Sequence, residues 1–168
     1  MKCTSAEAAK LLRKLNEEQQ AIKDRESKSS VFIAAIEEDL EEARPDYRYS
    51  ETQERLAALE AKVRKVKHAI NTFNLTTQVP DFDMTVDQIL VYIPQLSEKK
   101  RKLSMMASRL PKERMSSGGV GRTLVEYLYA NYDVEEVARD LAEVSDELSR
   151  AQTALDVVNN SVVFDIDL

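Results

Sequence analysis

The feature that most constrains this chain is a pair of long apolar seams. Leu56, Leu59, Val63, Val66, Ile70 and Phe73 follow one another in steps of 3, 4, 3, 4 and 3 residues. Val134, Val137, Leu141, Val144, Leu148, Ala151, Leu155 and Val158 step in the same way, by 3 and 4. An α-helix turns once in ~3.6 residues, so this alternation keeps one stripe facing a neighbouring helix along its whole length. A strand would scatter the same side chains over both of its faces. Seams of this length in 168 residues commit the chain to long, packed helices.

Composition agrees. The chain has 3 glycines, and 32% of its residues are charged. Typical domains have ~7% glycine and ~25% charge. Scarce glycine argues against glycine-rich sandwiches, barrels and nucleotide-binding α/β folds, and a single cysteine, Cys3, rules out a disulfide scaffold. The expectation is one mainly α domain over residues 1–168. Its architecture is an antiparallel long helical hairpin or bundle with coiled-coil-like seams and a small β-sheet at one end. Residues 1–48 hold an N-terminal helix and an ambiguous segment, and residues 49–168 hold the hairpin core with two helix-to-strand joints.

Start signals place the helices. Ser5 is the expected cap of the first, which carries Ala8, Leu11, Leu12, Leu15 and Ile22 at helical spacing to about Arg25. The next segment reads two ways: Val31, Phe32 and Ile33 favour a strand over 31–36, whereas 34–43 favours a helix. The acidic run Glu37, Glu38, Asp39, Glu41 and Glu42 reads as a solvated face. Ser50 and Gln53 have capping-box spacing for the second long helix, where Glu60 and Arg64 are placed to pair outside the seam. Thr85 and Gln88 repeat the box for the third, with Ile89, Ile93, Leu96, Leu103, Met106 and Leu110 inward and Pro94 expected to kink or divide it. Residues 112–123 read as a loop that contains all the glycine, at Gly118, Gly119 and Gly121. Residues 124–129 read as a strand, Asp133 and Glu136 cap the last helix, and 162–166 read as a final strand.

The second and last long helices echo each other at an offset of 85 residues. Their ends share the pattern A-[IL]-[ND]-x-x-N-x-[ST], from Ala69 to Thr76 and from Ala154 to Ser161. Asn71, Asn74, Thr76, Asn159, Asn160 and Ser161 are therefore joint residues. The asparagines are expected to end each helix in the left-handed conformation, with Thr or Ser bonding nearby backbone.

At these residues the chain resembles the septicolysin-like bacterial proteins. The run from Lys65 to Thr77 contains their central I-N-x-x-N-x-T-T signature. The segments around Phe82, Tyr92, Ser108 and Thr153 resemble a firmicute-type branch of that family. The resemblance covers residues 49–168 and implies a helical-hairpin fold in a largely uncharacterised bacterial family. It implies no catalytic residue.

The chemistry-bearing motifs are thin. Ser117, Gly118, Gly119, Val120, Gly121 and Arg122 lack P-loop spacing and read as a turn-forming loop. One cysteine and one histidine, His68, make neither a Cys/His metal set nor a catalytic triad. The reading assigns no catalytic, cofactor-binding or metal-binding residue, and expects no cofactor and no enzyme activity. The N-terminus lacks a signal-peptide core and no run approaches the ~20 apolar residues of a membrane span, so the expected location is cytoplasmic.

One cluster stands out. Lys99, Lys100, Arg101, Lys102, Arg109, Lys112, Arg114 and Arg122 lie within 24 residues of a chain whose net charge is −6. They are the candidate anion- or partner-binding residues, with Tyr127 and Tyr129 as neighbouring aromatics. The overall acidity argues against nucleic acid. Glu135, Glu136, Glu143, Asp146 and Glu147 supply acidic counterparts on the last helix, which favours self-association. The sequence thus predicts a non-enzymatic homo-oligomeric structural or protein-interaction module. The alternative is binding of a membrane surface or anionic ligand through residues 99–122.

Overall fold

Each helix begins where a side chain can take up the free amides of its first turn, with one exception in α3 described below. The computed structural model describes residues 1–115 and 125–168. In order, the elements are β1 (Lys2–Thr4), α1 (Ser5–Ser29), α2 (Leu40–Ala43), α3 (Tyr49–Thr76), α4 (Val86–Ala107), β2 (Lys112–Arg114), β3 (Tyr127–Tyr129), α5 (Val134–Ser161) and β4 (Val163–Asp165). The protein is mainly α-helical, as the seams require. It forms two compact units, one of Met1–Thr77 with Val157–Leu168 and the other of Gln78–Asp156.

In the first unit α1 and α3 run antiparallel. The α3 seam residues Leu59 and Val66 bury together with Ala8 and Leu15 of α1, Cys3 and Ile166. Leu11, Leu12, Ile22, Val63, Ile70 and Phe164 pack around them. Fully burying each large apolar side chain contributes roughly 1.5–3 kcal/mol. Along the edge, Arg55 pairs with Glu18 at 2.9 Å and the Gln19 amide donates to Glu60 at 3.0 Å. The Tyr47 hydroxyl and the Gln53 amide both donate to Glu26 at 2.7 Å. The two ends of the chain meet in an antiparallel ladder that sets Lys2 against Asp165, Cys3 against Phe164 and Thr4 against Val163. The Met1 ammonium extends it by donating to the Ile166 carbonyl at 2.7 Å.

In the second unit α4 and α5 run antiparallel around Leu96, Leu103, Val137, Val144, Leu148 and Ala151. The Tyr92 hydroxyl donates to Glu147 at 2.6 Å, and the Tyr132 hydroxyl to the Met106 carbonyl at 3.0 Å. Before α4 the chain reverses at Pro80 and Asp81. Phe82 donates to the Val79 carbonyl at 3.2 Å, and Asp81 has φ of 64°. This is a type II pattern, with proline at the second position and a residue that tolerates positive φ at the third. After α4, β2 and β3 form a separate hairpin.

Several expectations are corrected. The cap of α1 is Thr4, not Ser5: Thr4 and Glu7 form a reciprocal capping box. Ser50 does not cap α3, which starts one residue earlier behind Arg48 with no side-chain cap. The Thr85–Gln88 box forms as read, and Asp133 accepts from the amides of Glu135 and Glu136. Pro94 does not divide α4, which continues through it. Leu110 lies beyond that helix and is exposed. Glu60 engages Gln19 of α1 and forms no ion pair with Arg64. Among the described residues the expected small sheet takes the form of two separate two-stranded ladders, and 31–36 joins neither. A strand needs a ladder partner, and the partner of β4 is β1 at the N-terminus. Of the 34–43 helix only the turn of α2 exists. The glycine loop lies outside the described residues, as does Leu124.

Of the two expected helix-to-strand joints only the one after α5 leads into a strand, since α3 is followed by the isolated bridge between Gln78 and Thr85, and both helices end by another means. α3 and α5 are both 28 residues long, and each begins and ends at matching positions of the echo. Asn74 and Asn159 lie inside these helices, and among the described non-glycine residues only Asp81 has positive φ. The last turns close instead through backbone bonds, from Thr77 to Phe73 at 2.9 Å and from Val162 to Val158 at 3.1 Å. Asparagine within a helix costs only about 0.7 kcal/mol relative to alanine, too little to stop a seam whose adjacent residues, Phe73 and Val158, are buried.

Candidate functional site

The basic residues identified in the sequence lie in the second unit, on α4, on the link after it and on β2. Lys99, Lys100, Arg101 and Lys102 occupy one full turn of α4 and are all exposed. Arg101 is committed locally: its guanidinium grips Glu98 through two bonds, at 2.6 and 3.0 Å. That contact holds the Glu98 carboxyl below its ordinary pKa and raises that of Arg101, in both cases chiefly through the hydrogen bond. Lys99, Lys100, Lys102, Arg109 and Arg114 form no ion pair with a described residue. Arg122 lies outside the described residues.

The β2–β3 hairpin gives two of these cations, Lys112 and Arg114, a defined face. Its register sets Lys112 opposite Tyr129, Glu113 opposite Leu128 and Arg114 opposite Tyr127. Alternate strand residues share a face, so Lys112, Arg114, Tyr127 and Tyr129 lie together. The Lys112 ammonium sits 4.1 Å from the centre of the Tyr127 ring and 5.5 Å from that of Tyr129. A cation over an aromatic face contributes ~0.5–1 kcal/mol at an exposed site. All four side chains remain exposed, and Leu110, Met115, Val125 and Leu128 add apolar area at the ends and on the other face. Chemically, this is a cationic, aromatic surface suited to a partner that brings both apolar groups and carboxylates. Tyr127 and Tyr129 were legible as neighbouring aromatics. The strand at 112–114 was not, because it reads as part of a charged loop.

The other sequence candidates are distributed differently. Asn71, Asn74 and Thr76 lie on the last turns of α3, and Asn159, Asn160 and Ser161 on the last turn of α5. The Thr76 hydroxyl donates to the Thr72 carbonyl at 2.8 Å, and the Ser161 hydroxyl to the Val157 carbonyl at 2.7 Å. Both bonds lie within the last turn of their own helix. His68 is exposed on the rim of an open groove of about 470 Å³, which also carries Lys65, Thr72 and Thr76 and is floored by Phe73 and Phe164. The two rings stack at 4.7 Å. Cys3 is buried, and burial followed by the nearby Glu7 carboxylate pushes its thiol up from the ordinary value. No described helix is long and apolar enough to cross a membrane.

One residue group escaped the sequence reading. Val31, Phe32, Ile33, Ile36 and Leu40 are exposed on the segment between α1 and α3, with Ile33 at 98% of full exposure. Their β-branched and aromatic character was legible, but it suggested burial in a sheet.

With the fold in place, the class it defines is a mainly helical protein of two units with one short ladder between its terminal segments and another in an internal hairpin. The same fold occurs in a conserved protein of unknown function from Corynebacterium diphtheriae. That crystal structure matches with a TM-score of 0.59 at 16% identity, over 98% of this chain and 100% of the other. No protein-family model and no curated protein matches the sequence.

Proposed function

We propose that the protein is a non-enzymatic interaction module that self-associates. The observation that carries this reading is the hairpin face, where Lys112, Arg114, Tyr127 and Tyr129 stand exposed together, in the same unit as Lys99, Lys100, Lys102 and Arg109, which form no ion pair with a described residue. Tyrosine and arginine are the side chains most enriched where interfaces concentrate their energy. The net charge of −6 means that a second copy is itself an acidic surface. The resemblance to septicolysin-like bacterial proteins fits this reading in fold, and we carry over no activity from it.

Size-exclusion chromatography with light scattering tests the proposal. The expected mass exceeds the 19.1 kDa of one chain and falls on dilution. A constant single-chain mass overturns it. The second reading, an anionic membrane surface, is favoured by the same cations and is tested by flotation with vesicles rich in acidic lipid. Co-flotation at low salt by a chain that stays monomeric would replace the first reading with the second.

A further inference from the structure

The exposed segment between α1 and α3 and the exposed hairpin of the second unit are complementary in chemistry. Val31 is 76% exposed, Ile33 is 98% exposed, and Ile36 is fully exposed. Leaving such groups in water forgoes ~25 cal/mol for every Å² that a partner would cover. The main chain of Val31, Phe32, Ile33 and Ala34 makes no hydrogen bond with a described residue. Apolar, β-prone backbone without ladder partners is the form in which a segment adds to an open sheet edge. The residues C-terminal to it are acidic. Glu38 bonds the Ala35 amide, Asp39 caps α2 and Glu41 pairs with Arg44, whereas Glu37 and Glu42 have no partner among the described residues.

The hairpin supplies the counterpart. Tyr127 and Tyr129 present aromatic area for the aliphatic groups, and each of the two strands has an edge with no ladder partner among the described residues. Arg109 and Arg114 flank and form β2 without carboxylate partners among the described residues. An anionic membrane is a poor occupant for the acidic segment, since like charge repels it. We propose that residues 31–42 of one copy dock on the β2–β3 hairpin of a second copy, with Phe32 and Ile33 against Tyr127 and Tyr129 and Glu37 and Glu42 against Arg114 and Arg109. Because each copy carries both surfaces, the contact repeats, either closing reciprocally as a dimer or running head to tail. This rests on the self-association proposed above and names the two surfaces that produce it.

Charge exchange tests the pairing. Three proteins are compared by sedimentation velocity at low salt: the wild type, Glu37→Lys/Glu42→Lys and Arg109→Glu/Arg114→Glu. All four positions are exposed, and circular dichroism checks that each variant keeps wild-type helix content. Each variant alone is expected to bind itself at least tenfold more weakly than the wild type. An equimolar mixture of the two is expected to regain wild-type association, because in the mixture both contacts again join opposite charges. As a control, Glu135→Lys/Glu136→Lys on α5 should leave association unchanged. A monomeric wild type overturns both this inference and the self-association reading. An associating wild type whose variants also associate leaves self-association standing and overturns this pairing, as does a mixture that stays dissociated. Loss of association in the α5 control would move the acidic surface to that helix and likewise overturn it.

Discussion

α3 and α5 are twins in length and in where they stop, yet they differ at both ends. Each has 28 residues, and all six seam residues of α3 have a seam counterpart in α5, among them the fully buried Val66 and Ala151. Each closes with a hydroxyl bonded to the carbonyl four residues back. But α5 begins behind the side chain of Asp133, whereas α3 begins behind Arg48 with no side-chain cap. α5 then leads into β4, which has β1 to pair with, while α3 leads only to the isolated bridge between Gln78 and Thr85. Helix length and helix end are therefore local properties of the repeated pattern. Whether a strand succeeds the helix depends on a distant segment that supplies a ladder.

The strongest test of the twinning compares matching core residues. Phe73 is buried and stacks on Phe164, whereas its twin Val158 is buried without a ring partner among the described residues. Phe73→Ala is expected to cost about 3–5 kcal/mol and Val158→Ala about 2 kcal/mol in urea unfolding. Equal losses would remove the distinction. Next in size is Ala151→Leu, which forces a larger side chain into a fully buried position of α5 and is expected to cost about 1–3 kcal/mol.

The caps give a pair of opposite sign. Asp133→Ala should lower stability by about 1 kcal/mol, while Arg48→Asp should raise it by a comparable or smaller amount by giving α3 the cap it lacks. A loss in both would mean that Arg48 matters through its 2.8 Å contact with Glu51 rather than as a vacant cap position. Tyr92→Phe should cost about 1 kcal/mol at neutral pH. The bond to Glu147 raises the Tyr92 pKa above its ordinary value of 10.0, through the hydrogen bond first and desolvation second. Its stabilisation is therefore complete below that ordinary value and disappears as pH rises through the raised one. Wild type and Tyr92→Phe should converge in strongly alkaline urea titrations. The smallest effects are expected from Thr76→Val and Ser161→Ala, each within about 0.5 kcal/mol, since such back-bonds in exposed last turns add little net stability.

The helices were legible because their signals are periodic and repeated. The seams of α3 and α5, the box at Thr85 and the cap at Asp133 needed only local sequence. The features that were not legible depended on partners distant in sequence. Lys2, Cys3 and Thr4 are too few to show alternation, so β1 was invisible, and with it the true partner of β4. Val31, Phe32 and Ile33 have strand composition but no ladder within the chain's described residues, so composition alone assigned them to a sheet that they do not join. The basic cluster was legible as charge. Its sorting into the locally bound Arg101, the ring-seated Lys112 and Lys99, Lys100, Lys102, Arg109 and Arg114, which have no ion pair among the described residues, required positions in space.

The proposed contact joins the 31–42 segment of one copy to the hairpin of another. Zero-length lysine–carboxylate cross-linking of an equimolar mixture of light and heavy-isotope chains tests it most directly. Mixed-isotope peptides are expected that join Glu37 or Glu42 of one chain to Lys112 or to the Lys99–Lys102 turn of the other. Finding such links only within chains of the same isotope, or none that involve residues 31–42, would contradict it.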